Sequence, residues 1–411
     1  MSDVCLDRIL PLLGEDGVLG LGEPTHGSAN AFAWKLGIIQ ELARRGLLAA
    51  FALEDSLIAG RELEAVLHGG GNLDEALAGG SSVWRTETIR DGLRQLAAIL
   101  AEGRTASGDA PSTERSTALA DVRIAPTERP SAPAADPSAP SPRILGIDVR
   151  APQRTARALL DLGHDEPLLH AVADGAELDP HEVESLAQLC TRLGRSPDEA
   201  CAALARNLGR HVDAYLLDPG LGRLHRRDTH MARTLLEQLP ERGITVVWAH
   251  NEHIARNPDF YGGPSMGAVL HEALGSRYVP VGVMCGEGEA RAVDPSTGED
   301  GYRAVALPLL RPGTTDAALH ALGAPFVTRA EFDHPGPRRF LGWRIDTSLF
   351  DDPEAVRSSF EVERPSSDFE ALVMLPDSVA DVAAAAGDRQ VSRVRCSNGE
   401  LYRHPTLDTD G

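Results

Sequence analysis

The chain is poor in several residue types whose presence would point elsewhere. Its 411 residues include five cysteines, Cys5, Cys190, Cys201, Cys285 and Cys396, an odd and scattered set without a CxxC pair. That argues against a disulfide scaffold or a cysteine zinc site and suits a reducing, cytoplasmic compartment. Lysine is almost missing: Lys35 is the only one, and every other basic residue is arginine. Positive charge is short overall, 40 basic against 61 acidic residues, for a formal net charge of -21. Such a surface repels phosphate backbones and anionic lipid, so neither nucleic acid nor a membrane surface is expected as a partner. No apolar run approaches the ~18–20 residues of a membrane span. The opening MSDVCLDRIL lacks the basic and then apolar pattern of a signal peptide.

What is present describes an ordinary globular chain, 42% apolar and 25% charged. Its length suits two or three average domains, or one large α/β domain with an insertion. Five short apolar runs read as buried strands, each followed by polar residues or a cysteine. Val18–Gly22 leads into Glu23-Pro-Thr-His26, Leu47–Leu53 into Glu54, and Ile144–Ile147 into Asp148. Ile244–Ala249 leads into His250-Asn-Glu-His253, and Tyr278–Met284 into Cys285. They lack clean alternation, as expected of central strands covered on both faces. Between them, Ser28–Arg45, Arg61–Leu67, Thr86–Glu102 and Thr229–Leu239 carry apolar residues at helical spacing. The expected fold is therefore α/β, a mainly parallel sheet with flanking helices.

Two segments interrupt that alternation. Residues 104–143 are rich in Ala, Pro, Ser and Thr with almost no large apolar residue, the composition of a disordered loop. Residues 151–240 are helical without a clear strand, as in a helical cap or insertion. The expected division is 1–103 for the first half of the catalytic domain, 104–143 for the loop, 144–150 for one strand, 151–240 for the cap and 241–411 for the second half. Phe369–Leu375 is the best late strand.

Position is the informative feature of the polar residues. In open parallel sheets the carboxyl ends of the strands share one edge, and ligands bind in the crevice outside it. Glu23, His26, Glu54, Asp148, His250 and His253 all follow such ends, so residues over two hundred positions apart could converge. An imidazole titrates near neutral pH and can take a proton from water, and a carboxylate on its other nitrogen fixes the tautomer. Each residue alone has a plainer explanation, a helix cap or a satisfied neighbour. The same ExxH and HxxH spacings could instead supply zinc ligands, His26, His250, His253 and Glu23.

GEPTHGSANAF at Gly22–Phe32, FALE at Phe51–Glu54 and WAHNEHI at Trp248–Ile254 resemble the erythromycin esterase family. Weaker matches are VWRTE at Val83–Glu87, GIDV at Gly146–Val149, RRDTHMA at Arg226–Ala232 and SDFEALVML near the C-terminus. The resemblance implies that His26 is the general base activating water for ester cleavage, with Glu23, Glu54, His250 and His253 around it. His250 and His253 would then polarise the carbonyl or stabilise the oxyanion. It also implies a metal-independent hydrolase with no cofactor, whereas a more distant set of hydrolases with a similar Glu-His-His arrangement uses a metal. The substrate would be a small-molecule ester or lactone, macrolide- or polyketide-like.

Two departures from the family stand out. Members often carry Arg nine positions after the histidine, where this chain has Lys35, and a lysine cannot copy a bidentate clamp on a carboxylate. Glu252 adds a carboxylate inside the HNxH turn and is simplest as a solvent-facing side chain. Lys35, Trp84, Asp148 and Glu252 are the candidate substrate contacts. A rival signature, Gly263-Pro-Ser265-Met-Gly267, matches the G-x-S-x-G nucleophile elbow. That motif needs a strand before the serine, and NPDFYGG reads as a loop, so Ser265 is better explained as a helix N-cap. Two other functions stay open: a tailoring enzyme using the same acid/base site for cyclisation, elimination or acyl transfer, and a non-catalytic antibiotic-binding protein.

Overall fold

A computed structural model describes residues 2–106, 141–218, 220 and 222–384. The segment 104–143 thus lies, apart from its two ends, outside the described residues. After α1 (Ser2–Leu13), which the patterns did not mark, β1 (Val18–Leu21), α2 (Ala29–Arg44) and β2 (Leu48–Ser56) follow the apolar patterns closely. Next come α3 (Leu57–Leu67), α4 (Leu73–Gly79), α5 (Glu87–Ala106) and β3 (Arg143–Asp148).

A helical stretch follows: α6 (Pro152–Asp161), α7 (Pro167–Ala173), α8 (Pro180–Leu193), α9 (Glu199–His211) and α10 (Arg223–Leu236). The sheet resumes with β4 (Ile244–Trp248), then α11 (Asn251–Ile254), α12 (Met266–Leu274) and β5 (Tyr278–Ala292). The remaining strands are β6 (Arg303–Ala306), β7 (Phe326–Thr328), β8 (Arg338–Arg339), β9 (Glu361–Val362) and β10 (Ala371–Ser378).

The main sheet runs in the order β3-β2-β4-β1-β5-β10-β7, with β6 paired to β5. The strands from β3 to β10 in that order pair in parallel, and β7 closes the edge antiparallel to β10. The α/β fold with a mostly parallel sheet is thus observed. Both faces are covered, and the pleat sends alternate residues to opposite cores. Leu19, Leu21, Phe51, Leu53, Val246 and Trp248 enter the core shared with α1, α2 and α5. Val18, Ala50, Ala52, Val247 and Ala249 enter the core beneath α10 and α12. Helices α6 to α9 have a core of their own around Leu159, Leu186, Leu204 and Leu208, into which Leu57 of α3 reaches. Helix α10 instead packs Met231, Ala232 and Leu235 on the sheet.

Strand β5 runs eight residues beyond the expected end at Met284. Its outer half is held by pairing with β6 and β10, and carries the exposed stretch Glu287–Glu289. A backbone partner on each side replaces the apolar pattern that marks the inner half. The motif before α12 resolves as a cap: the Ser265 hydroxyl accepts from the Ala268 amide (3.1 Å) and donates to the Ala255 carbonyl (2.6 Å). No strand precedes Ser265.

Candidate active site

Sheet order determines which strand ends are neighbours. Along the carboxyl edge, β3 delivers Asp148, β2 Glu54, β4 the turn His250–His253, and β1 the segment Glu23–His26. The β1 and β4 segments interlock through a close backbone approach. The Asn251 amide side chain bridges both backbone groups of Val283, accepting from its N–H (3.0 Å) and donating to its carbonyl (2.7 Å). A Cβ at Gly22 would lie 2.0 Å from the Asn251 Oδ1, so glycine is required there.

Glu23 is fully buried, and both of its oxygens are occupied. Oε1 lies 2.6 Å from His26 Nδ1, while Oε2 accepts from Lys35 Nζ (2.8 Å) and Trp248 Nε1 (2.7 Å). Burial works against its charge, but Lys35 and His26 outweigh it and hold the carboxyl below the ordinary range. Lys35 also lies over the Trp248 ring, 4.3 Å from its centre. Burial draws the Lys35 ammonium down to about 8 against the pull of Glu23.

His26 therefore presents Nδ1 to a carboxylate, and among the described residues its Nε2 has no hydrogen-bond partner. The ring edges onto Trp84 and lines a cavity of about 490 Å³. Phe260, Tyr261, Phe340, Trp343 and Phe360 form much of the cavity wall.

The other two histidines are committed differently. His250 caps α11: its Nδ1 accepts from the Glu252 amide (3.2 Å), and its Nε2 faces the Leu341 carbonyl at 3.1 Å. This fixes a neutral ring, and burial pushes its pKa down to about 3. Both nitrogens are used by backbone, so the expected role for His250 at an oxyanion is corrected to one of scaffolding. His253 lies near two carboxylates, Nδ1 at 2.8 Å from Asp228 and Nε2 at 3.3 Å from Glu54, while Arg227 Nη1 donates to Nε2 (3.2 Å). Burial opposes its charge, but Asp228 and Glu54 prevail and raise its pKa to about 10.

Arg227 and Asp228, from α10, are site residues that the strand-end argument did not find. Arg227 is buried, donates twice to Asp148 (2.9 and 2.6 Å) and once to Glu54 (2.8 Å), and lines the cavity. Their signal was the RRDTHMA stretch, which carried weight only through the family resemblance.

Two expected substrate contacts are corrected, and so is the solvent-facing reading of Glu252. Lys35 is fully buried beneath Glu23 and does not line the cavity. Asp148 is also buried away from the cavity and anchors Arg227. Glu252 faces the cavity rather than bulk solvent, but Arg338 grips both of its oxygens (2.8 and 3.0 Å). Trp84 does line the cavity.

The zinc alternative does not fit this donor set. Glu23 has spent both oxygens, His250 both nitrogens, and the two nitrogens of His253 face carboxylates. Among the described residues no three His, Cys, Asp or Glu side chains converge as a ligand group. The arrangement can instead move a proton at His26 Nε2 beside the cation Arg227.

Residues 141–378 match the family model described as erythromycin esterase. No curated protein sequence matches the chain. The fold is shared with a succinoglycan biosynthesis protein, at a TM-score of 0.65 and 18% identity over 92% of both chains. It is shared equally with a Bacillus cereus protein, at 0.63 and 18% over 92% of both. A mutant of the erythromycin esterase EreC in its open conformation gives 0.64 at 16% identity, over 92% of this chain and 95% of that one. At these identities the likeness is one of fold.

Proposed function

Because the chain belongs to the erythromycin esterase family, by a match over more than half its length, we propose that it hydrolyses an ester or lactone of a natural-product small molecule through water activated by His26. Membership supports a hydrolase function; the substrate and the roles below are our reading. One observation carries it. Of the three histidines at the strand ends, His26 alone combines a carboxylate on Nδ1 with an Nε2 free toward the cavity.

In this mechanism His26 Nε2 takes a proton from a water in the cavity as the water oxygen attacks the ester carbon. Glu23, kept ionised by Lys35 and Trp248, stabilises the resulting imidazolium. The charge that develops on the carbonyl oxygen is met by the buried Arg227 guanidinium, with His253 beside it. When the tetrahedral intermediate collapses, the C–O bond to the alcohol breaks and the imidazolium returns its proton to the leaving oxygen. Glu54, Asp148 and Asp228 position these two side chains.

Hydrolysis adds one water per bond broken, so labelled water tests the reading. A panel of lactones and esters incubated in H₂¹⁸O should yield acids carrying a single heavy oxygen and alcohols carrying none. Conversion of a substrate to an isomer, without label, would replace hydrolysis with cyclisation or elimination. Binding of a substrate with no conversion would point to sequestration.

A further inference from the structure

We infer that the esters this cavity selects carry an anionic group remote from the scissile bond, held by Arg150 and Arg344; this rests on the hydrolase reading above and names its substrate class.

The inference comes from what each charged group on the cavity wall is doing. Three carboxylates reach the wall, and two of them are paired with arginines. Glu54 is taken by Arg227 and the His250 amide, Glu252 by Arg338, and Asp346 by the amide and hydroxyl of Ser348 (3.1 and 2.5 Å). Of the three guanidiniums on the wall, Arg227 is held by Asp148 and Glu54. Of the other two, one is unpaired and one is only loosely paired. Arg344 is exposed and has no side-chain hydrogen bond or ion pair among the described residues. Arg150 comes only within 3.6 Å of Asp148, whose oxygens Arg227 already fills, and its side chain is 52% exposed. A chain with a net charge of -21 thus lines its cavity with one unpaired arginine, Arg344, and one held only at 3.6 Å, Arg150.

Two further features sit with them. The Tyr215 hydroxyl, within electrostatic reach of Arg150 and Arg227, is buried without a hydrogen-bond partner among the described residues. It stands on a short π-helical turn, Val212–Leu216, a distortion that often marks functional positions. Backbone strain also clusters here. Ala151 and Tyr261 are the two described non-glycine residues with left-handed φ, at 59° and 55°. Ala151 adjoins Arg150, and Tyr261 lines the cavity. A guanidinium matches a carboxylate or a phosphate in shape and charge. The aromatic wall suits an apolar stretch between that anion and the ester.

A pair of substrates matched in length isolates the charge: p-nitrophenyl hexanoate, which is neutral, and mono-p-nitrophenyl adipate, which ends in a carboxylate. The wild-type kcat/KM ratio of charged to neutral ester should be about tenfold or more, the discrimination expected for one charge-assisted hydrogen-bonded pair. In R150Q and R344Q that ratio should fall several-fold, chiefly through KM. It should vanish in the double variant and largely return in R150K and R344K. A wild-type ratio near one would overturn the inference, as would variants that depress both esters equally.

The corresponding p-nitroanilides, which are amides resistant to an esterase, separate this claim from the hydrolase reading. Calorimetric Kd values should favour the charged anilide in wild type and lose that preference in the double variant. Failure to turn over either ester would then count against hydrolysis alone, and equal Kd values for the two anilides against the anion site alone.

Discussion

Replacing Lys35 by methionine removes one charge from a buried pair while nearly preserving volume, and tests the ionised state of Glu23. Nζ stands 2.8 Å from Glu23 Oε2, and neither side chain is exposed. At an effective dielectric of about 20, that separation corresponds to a gross attraction of about 6 kcal/mol, before the cost of desolvating both groups. Stranding one partner of such a pair costs ~3–5 kcal/mol. Glu23 can escape part of this by taking a proton, because Lys35 is the main influence holding its pKa down. The neutral acid would then be a poor partner for a protonated His26. Lys35→Met should therefore lower the unfolding free energy by about 3 kcal/mol. It should also move the acid limb of kcat/KM to higher pH, because activity would now require Glu23 to lose a proton bound more tightly. Calorimetry and pH profiles of Lys35→Met, Glu23→Gln and the double variant measure both effects. If the two groups act on each other, the double variant is less destabilised than the sum of the singles by 1 kcal/mol or more. Additivity within about 0.5 kcal/mol, with an unmoved acid limb, would refute the reasoning.

Four other outcomes are expected. His253, raised to about 10, adds stability that is complete below its unfolded value of about 6.5 and is lost as pH climbs through about 10. Denaturant titrations of wild type should thus weaken between pH 7 and 10, and His253→Asn should flatten that slope; an unchanged slope would contradict the ion-pair assignment. His250, depressed to about 3, works in the opposite sense, with stability lost as pH falls from about 6.5 through about 3, a dependence that His250→Asn should remove. Ser265→Ala should cost ~1–2 kcal/mol through the lost cap yet keep most of the turnover, and a fluorophosphonate should leave Ser265 unlabelled. Dialysis against a strong chelator should leave most activity, with less than one zinc per chain by elemental analysis; activity lost and then restored by zinc would contradict this.

How much of this was legible depended on where each signal lay along the chain. Central parallel strands announce themselves as apolar runs, because burial on both faces suppresses alternation, and Val18–Leu21 and Ile244–Trp248 are wholly buried. Once strands are found, their polar continuations must share an edge, which is how Glu23, His26, Glu54 and the His250–His253 turn could be grouped. What each ring nitrogen faces depends on backbone groups that sequence does not locate, such as the Leu341 carbonyl at His250. Arg227 and Asp228 were missed because a charged pair on an amphipathic helix reads as a solvated face. Lys35 and Glu252 were misplaced for a related reason: their partners, Glu23 and Arg338, come from other elements, and each pairing buries a charge that composition alone puts outside. Short strands such as Phe326–Thr328 carry too few residues to show a period, and owe their existence to the neighbouring edge of β10.

The central claim is that His26 is the base. The most direct measurement is kcat, across pH, for wild type and His26→Asn on an ester the protein accepts, with the fold of the variant checked by circular dichroism and melting temperature. A folded variant with kcat reduced by ~10²–10⁴-fold is the expected result, because Glu23, Lys35 and the cavity remain while the proton acceptor is gone. A folded variant that retains near-normal kcat would contradict it.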